Sequence, residues 1–154
     1  MSVPAVRALV AADAASVRAL VLDTYGASRQ LVRVQELIEL ALGGGDPECL
    51  GLVATADDGT IAGVLLYGTI GGAAGVVRVH ALAGVTPDTL TVLLERVCDA
   101  SSAPGARMFI CELSDDPEHA PATRALVSHG FTLEASIADY FADGFPLDLL
   151  VLRL

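Results

Sequence analysis

The chain has 154 residues, 53% of them hydrophobic and 18% charged. That is one domain with room for a core of its own, and it is too apolar for a disordered chain or a coiled coil. The formal net charge is -10 and all 9 basic residues are arginine, which argues against a nucleic-acid partner, favours a cationic one, and excludes Schiff-base chemistry and a Walker-type phosphate loop, both of which need lysine.

In chain order, residues 3–10 predict a first strand. Asp13 reads as a helix cap followed by Val17, Leu20 and Val21 at helical spacing, with Gly26 ending the helix in the left-handed conformation. Ser28 reads as the cap of a second helix carrying Leu31, Val34, Leu37, Ile38 and Ala41, stopped by Gly43-Gly44-Gly45 and Pro47. Residues 50–56 and 60–68 form a hairpin around Asp57-Asp58-Gly59, and the run from Ile61 to Leu66 predicts burial on both faces. After a turn at Gly71-Gly72, residues 74–83 make a fourth strand, with Arg78 and His80 on one face and Val77 and Val79 on the other. Thr86-Pro87-Asp88 starts a helix, with a cap, a proline in the first turn and an acid on the dipole. Residues 107–113 are a strand, Asp116-Pro117-Glu118 begins the last helix, and Gly130 ends it. Residues 131–141 alternate as a strand, and Asp143-Gly144 turns the chain into a final strand over 147–154. The order β-α-α-β-β-β-α-β-α-β-β spans residues 1–154 as one α/β (α+β) domain with a mixed sheet.

Cys49, Cys98 and Cys111 form no C-x-x-C. With His80, His119 and His129 they show no metal-ligand spacing, so free thiols in a reducing cytosol and no metal are expected. The N-terminal MSVPAVRALVAADAA lacks the basic head and long apolar run of a signal peptide, and no apolar stretch reaches membrane-spanning length. A cytoplasmic protein without a membrane partner is the expectation. The mean hydropathy of +0.59 fits an apolar face used in a homodimer.

This order of elements resembles the GNAT N-acetyltransferase superfamily over essentially the whole chain. The hairpin ATADDGTIAGVLLYG is similar to the family's second and third strands. APATRALVSHGF resembles its last helix and Gly-Phe signature, here Gly130-Phe131, and DYFADGFPLDLLVLRL its closing hairpin. The resemblance implies a mostly antiparallel, twisted sheet flanked by helices, with acetyl-CoA as co-substrate in a splayed V between the fourth and fifth strands. The fourth strand would offer backbone groups to the pantetheine arm, and the following helix start would hold the pyrophosphate. The acetyl group would pass directly to the primary amine of a small molecule or peptide. The sequence departs from the family at the phosphate loop, which is reduced to Gly84, with Pro87 lacking an N–H and Asp88 adding negative charge. His119 and Leu126 stand where the family often has Asn and Tyr. Two readings follow: an acetyltransferase with an altered donor grip, or a catalytically inactive GNAT-like binding or regulatory module. An open V with free N–H groups at residues 85–89 goes with the first, and a V plugged by side chains with the second.

The candidate catalytic residues are His80 as base, Glu112 opposite it as an alternative base, and Tyr140 as the acid that replaces the missing tyrosine, with Tyr67 a further hydroxyl. Tyr25 lies where the family often shapes its acceptor pocket. Leu82, Ala83 and Gly84 on the fourth strand, Val85, Thr86 and Thr89 at the helix start, and His119 and Arg124 on the last helix are the candidate donor-binding residues. Arg96 is a further cation for phosphate. Each has an ordinary structural alternative: a strand histidine bonded to a neighbour, a carboxylate paired with Arg107 or Arg124, a tyrosine with a buried ring and wet hydroxyl, a solvated helix face. No G-x-S-x-G occurs, so hydrolase chemistry is set aside, and the glycines of 68–72 precede no helix and fail as a dinucleotide fingerprint.

Overall fold

The computed structural model describes residues 2–101 and 105–154. In chain order the elements are β1 (Ala5–Ala8), α1 (Ala14–Tyr25), α2 (Leu31–Gly43), β2 (Leu50–Thr55), β3 (Ile61–Thr69), β4 (Val76–Gly84), α3 (Pro87–Ser101), β5 (Met108–Ser114), α4 (Ala120–Ser128), β6 (Thr132–Ala142) and β7 (Phe145–Arg153). The strands form one seven-stranded sheet in the order β1-β2-β3-β4-β5-β7-β6. Every neighbouring pair is antiparallel except β4 and β5, which run parallel through the α3 crossover.

Each face of the sheet has its own core. Val17, Val21, Val34, Leu37 and Ile38 of α1 and α2 pack against Val64, Leu66, Ala81 and Ala83. On the other face Leu90, Leu93, Leu94 and Leu126 of α3 and α4 meet Leu65, Val79, Leu82, Phe109 and Cys111. The uninterrupted apolar run in β3 supplies both cores, which is why residues 62–66 are buried on both sides.

The feature that shapes the site is a bulge in β4. Leu66 pairs with Ala81 and Tyr67 with Val79, so His80 is an extra residue with no partner on β3. Just there the parallel pairing with β5 stops: it runs only from Val76↔Met108 to Val79↔Cys111. β5 stays paired to β7 through Ser114, so Ala81–Gly84 of β4 and Glu112–Ser114 of β5 diverge as two unpaired rims.

Several local expectations need correction, among them the Ser28 cap, since α2 begins at Leu31 with no side-chain cap. Gly26 stays right-handed, at φ -53; its value is space, since a Cβ there would lie 2.6 Å from the Leu22 carbonyl oxygen. Asp13 does not cap α1 with its side chain. It grips the Arg7 guanidinium at 2.7 and 2.8 Å instead and accepts the Val10 N–H at 3.0 Å. The alternation in β6 buries neither face: residues 132–140 are all exposed, because β6 is the outermost strand and Leu133 and Ile137 remain uncovered. The cap at Thr86 forms as expected, its Oγ1 accepting the Thr89 N–H at 3.2 Å.

The loop before β2 is pressed onto the end of β3. A Cβ on Gly68 would stand 2.0 Å from the Glu48 carbonyl oxygen and 2.1 Å from its carbon. Both are backbone atoms, so no rotamer change relieves the overlap. Gly68→Ala is expected to cost about 1–3 kcal/mol, as overpacking does, seen as a lower denaturation midpoint; an unchanged midpoint refutes this contact.

Candidate active site

The two rims of the splay are occupied by side chains from the end of α1 and the connection to α2. Tyr25, 1% exposed in the last turn of α1, accepts the Leu82 N–H at 3.1 Å and donates to the Leu82 carbonyl at 3.2 Å. Burial pushes its hydroxyl well above the usual range, so it stays protonated and makes both bonds. On the opposite rim the Gln30 carboxamide donates to the Glu112 carbonyl at 3.3 Å and accepts the Ser114 N–H at 2.9 Å. It presents β5 with the donor and acceptor that a neighbouring strand would supply.

Below them lies a buried polar cluster. Asp116 Oδ2 accepts from the Ser114 hydroxyl at 2.6 Å, the Arg29 N–H at 3.1 Å and the Ser28 hydroxyl at 3.2 Å. Ser28 Oγ also accepts the Gln30 N–H at 3.0 Å and lies 2.7 Å from His119 Nε2. With the Ser28 proton given to Asp116, the cluster is satisfied when His119 carries its proton on Nε2 and donates to Ser28. Burial lowers the His119 pKa, which Asp116 and Glu118 oppose, so the ring is neutral. Burial by itself raises the Asp116 pKa, but the donors from Ser114, Arg29 and Ser28 outweigh it and hold the carboxyl below its ordinary value. The arrangement is not a hydrolytic triad: the acid bonds the serine and sits 4.0 Å from the same imidazole nitrogen. The connection is finished on the far side by the Arg29 guanidinium, 3.6 Å above the Phe145 ring.

His80, at the bulge, faces the α1–α2 side. Its Nε2 bonds the Glu48 carbonyl at 2.8 Å, which fixes the proton there and leaves Nδ1 as a lone pair. Burial lowers its pKa, and the Glu48 bond opposes this. His80 and Arg78 line a small polar cavity of about 140 Å³ with Arg33, Asp46 and Glu48. Glu112 is beside them, its carboxylate 3.6 Å from the Arg78 guanidinium, so the structure brings His80 and Glu112 to one side of the splay. Arg78 Nε is buried and has no partner among the described residues.

The remaining candidates lie elsewhere. Tyr140 is 57% exposed on β6, packed edge-on to Phe141, with β7 between it and β5. Tyr67 lines a separate cavity of about 770 Å³ with Ile70, Val76 and Arg107. Arg124 lines a groove of about 390 Å³ with Thr123, Leu133 and Leu150, while Arg96 is an exposed residue of α3. Among the helix-start residues, Val85 gives its N–H to the Ala62 carbonyl at 2.9 Å and Thr89 gives its own to Thr86. Thr89 is 1% exposed, wedged against β3 and β4: a Cβ on Gly63 would stand 2.5 Å from its methyl group, and one on Gly84 would stand 3.1 Å away. Ala83 faces the α1–α2 core. All three cysteines are free, and burial pushes the Cys111 thiol up to about 12 and Cys98 to about 11. No group of three metal-ligating side chains occurs among the described residues, nor does a helix long and apolar enough to cross a membrane.

No protein-family model matches the sequence and no curated protein does, but solved structures match it end to end. A GNAT-family protein from Desulfovibrio desulfuricans superimposes with a TM-score of 0.81 and 25% identity, over 97% of this chain and 98% of that one. This chain is a divergent member of the GNAT superfamily. Arabidopsis thaliana NAA60 in complex with a bisubstrate analogue shares its fold at a TM-score of 0.76 and 16% identity, over 97% of each chain. Salmonella typhimurium yncA with its cofactor acetyl-CoA does so at 0.70 and 16%, over 99% and 95%. Against that background this GNAT domain does not fit the donor in the conformation described. The backbone groups of Leu82 are taken by Tyr25, those of β5 by Gln30, and the start of α3 presents Pro87 and Asp88 where a phosphate would sit. Tyr25, Ser28, Gln30, Ser114 and Asp116 make this closure. Of these, the sequence marks Ser28 and Asp116 only as helix starts and Tyr25 as a shaper of the acceptor pocket, while Gln30 and Ser114 carry no signal.

Proposed function

We propose that this GNAT domain is an acyl-CoA-dependent N-acetyltransferase acting on the primary amine of a small molecule or peptide. The observation that carries the reading is the bulge at His80: it parts β4 from β5 and sets a neutral imidazole beside the opening, with its Nε2 proton committed to Glu48 and Nδ1 free to take a proton from an acceptor ammonium. Glu112 stands next to it, its carboxylate paired with Arg78 at 3.6 Å. The closed splay does not accommodate the donor. Cytoplasmic location and homodimerisation belong to the same proposal, the latter supported by the uncovered Leu133 and Ile137 of β6.

The filled splay favours a second reading, a GNAT-fold module that binds or regulates without catalysis. Acetyl-CoA binding separates the two. Donor at about 100 times its Kd adds about 2.7 kcal/mol, which for a chain of this size raises the melting temperature by about 5–10 °C. That shift, with matching heat in calorimetry, supports the acetyltransferase. No shift and no heat at millimolar donor, in the wild type and in variants whose splay is opened, leaves the module.

A further inference from the structure

We propose that the end of α1 and the α1–α2 connection are an internal occupant of the donor groove, held on the β4 backbone groups that an acyl-CoA pantetheine arm would use and on the facing groups of β5, so that donor binds only as they give way. This rests on the acetyltransferase reading above.

Three observations carry it. First, the occupancy is two-sided: Tyr25 saturates both polar groups of Leu82 on β4, and Gln30 saturates the Glu112 carbonyl and the Ser114 N–H on β5. A side chain that merely filled space would have no need to match donors and acceptors on both rims. Second, the chemistry is that of the ligand it displaces. A pantetheine arm carries amide groups, and Gln30 offers a primary carboxamide with the same donor and acceptor. Third, the connection is held across the opening chiefly by polar contacts: Ser28 and the Arg29 N–H on Asp116, Ser28 on His119, and the Arg29 guanidinium over Phe145. Arg29 is exposed and Gln30 half-buried, so these two can leave without opening either hydrophobic core. Tyr25 belongs to the α1–α2 core, so its ring stays in place and it is the two hydroxyl bonds to Leu82 that are given up.

The test is acetyl-CoA binding by calorimetry to the wild-type chain, Gln30→Ala, Tyr25→Phe and the double variant, with hydrogen exchange of the Leu82 and Ser114 amides followed alongside. Tyr25→Phe keeps the ring and removes the hydroxyl. Gln30→Ala touches neither core and stands as the second variant if the first folds poorly. Exchange at Leu82 should speed up at least tenfold in Tyr25→Phe, and exchange at Ser114 likewise in Gln30→Ala. Donor affinity should rise about tenfold in each single variant and further in the double. Wild type and variants binding equally and measurably would overturn the competition and leave the acetyltransferase reading standing. No binding by any variant, with both amides shown by exchange to be free, overturns the competition and the acetyltransferase reading together.

Discussion

Asp116→Ala should lower the melting temperature by about 10 °C. The carboxylate is 7% exposed and accepts three hydrogen bonds, from two hydroxyls and a backbone N–H. Its removal leaves Ser114, Ser28 and the Arg29 N–H without their acceptor in a site that water does not readily fill. Leaving three buried donors without an acceptor costs about 1–3 kcal/mol each, at least about 3–5 kcal/mol together, and about 2–4 °C accompanies each kcal/mol in a domain of this length. Asp116→Asn keeps one acceptor oxygen and should fall between the two. The same cluster sets the pH dependence. His119 and His80 are both held below the ordinary histidine value by burial, so the folded chain resists protons that the unfolded chain accepts. Stability is therefore flat above about pH 7 and declines as pH falls through about 6.5. Asp116 and Asp13 are lowered carboxylates: Asp116 because its hydrogen bonds outweigh burial, Asp13 chiefly through its hydrogen bond to Arg7. Their contribution is complete above about pH 4 and is lost below it. Melting temperatures from pH 3 to 8 should show both declines in the wild type and a weakened lower one in Asp116→Ala. A melting temperature that rises between pH 7 and 5 would contradict the buried neutral histidines.

His80→Gln should lower kcat/KM for amine acetylation by about 10²–10³, within the range a positioned general base supplies, with little change in stability. Glutamine can still donate to the Glu48 carbonyl, so the bulge and the loop above it stay in place while the basic nitrogen is gone. In the wild type, activity should rise with pH through a value below 6.5 and level off, because the imidazole must be neutral to accept a proton. The variant should lose that limb. Glu112→Gln is the comparison: if it, and not His80→Gln, removes the limb, the carboxylate beside Arg78 is the base.

Most of the fold could be read in the sequence because its signals are local. The Asp57-Asp58-Gly59 turn, the Thr86-Pro87 helix start and Gly130 (at φ +107) each need only neighbouring residues to be interpreted. The pairing of Arg78 and His80 on one face of β4 was also visible. The bulge after it was not, because Ala81 and Ala83 are small enough to suit either face and no residue marks the extra position. The closure of the splay left no trace at all. Ser28 reads as a helix cap since it precedes an apolar stripe, yet α2 begins at Leu31 and the Ser28 hydroxyl is spent on Asp116 and His119. Tyr25, Ser28 and Gln30 find their partners 57 to 91 residues along the chain, and nothing in a short window encodes such a meeting. The loss of the family's basic phosphate loop was legible, but what fills the space beside it came only from the three-dimensional arrangement.

The distance along the chain between those partners also orders events during synthesis. Ser28 leaves the ribosome 91 residues ahead of His119, which at roughly 5–20 residues per second is an interval on the order of 5–20 s. Through that time α1, α2 and the first strands are present while the Gln30 carboxamide and the Ser28 hydroxyl lack their distant partners. The β5 half of the seal therefore belongs to the last stage of maturation, and a nascent chain halted before Glu112 can make only the Tyr25 bonds to Leu82.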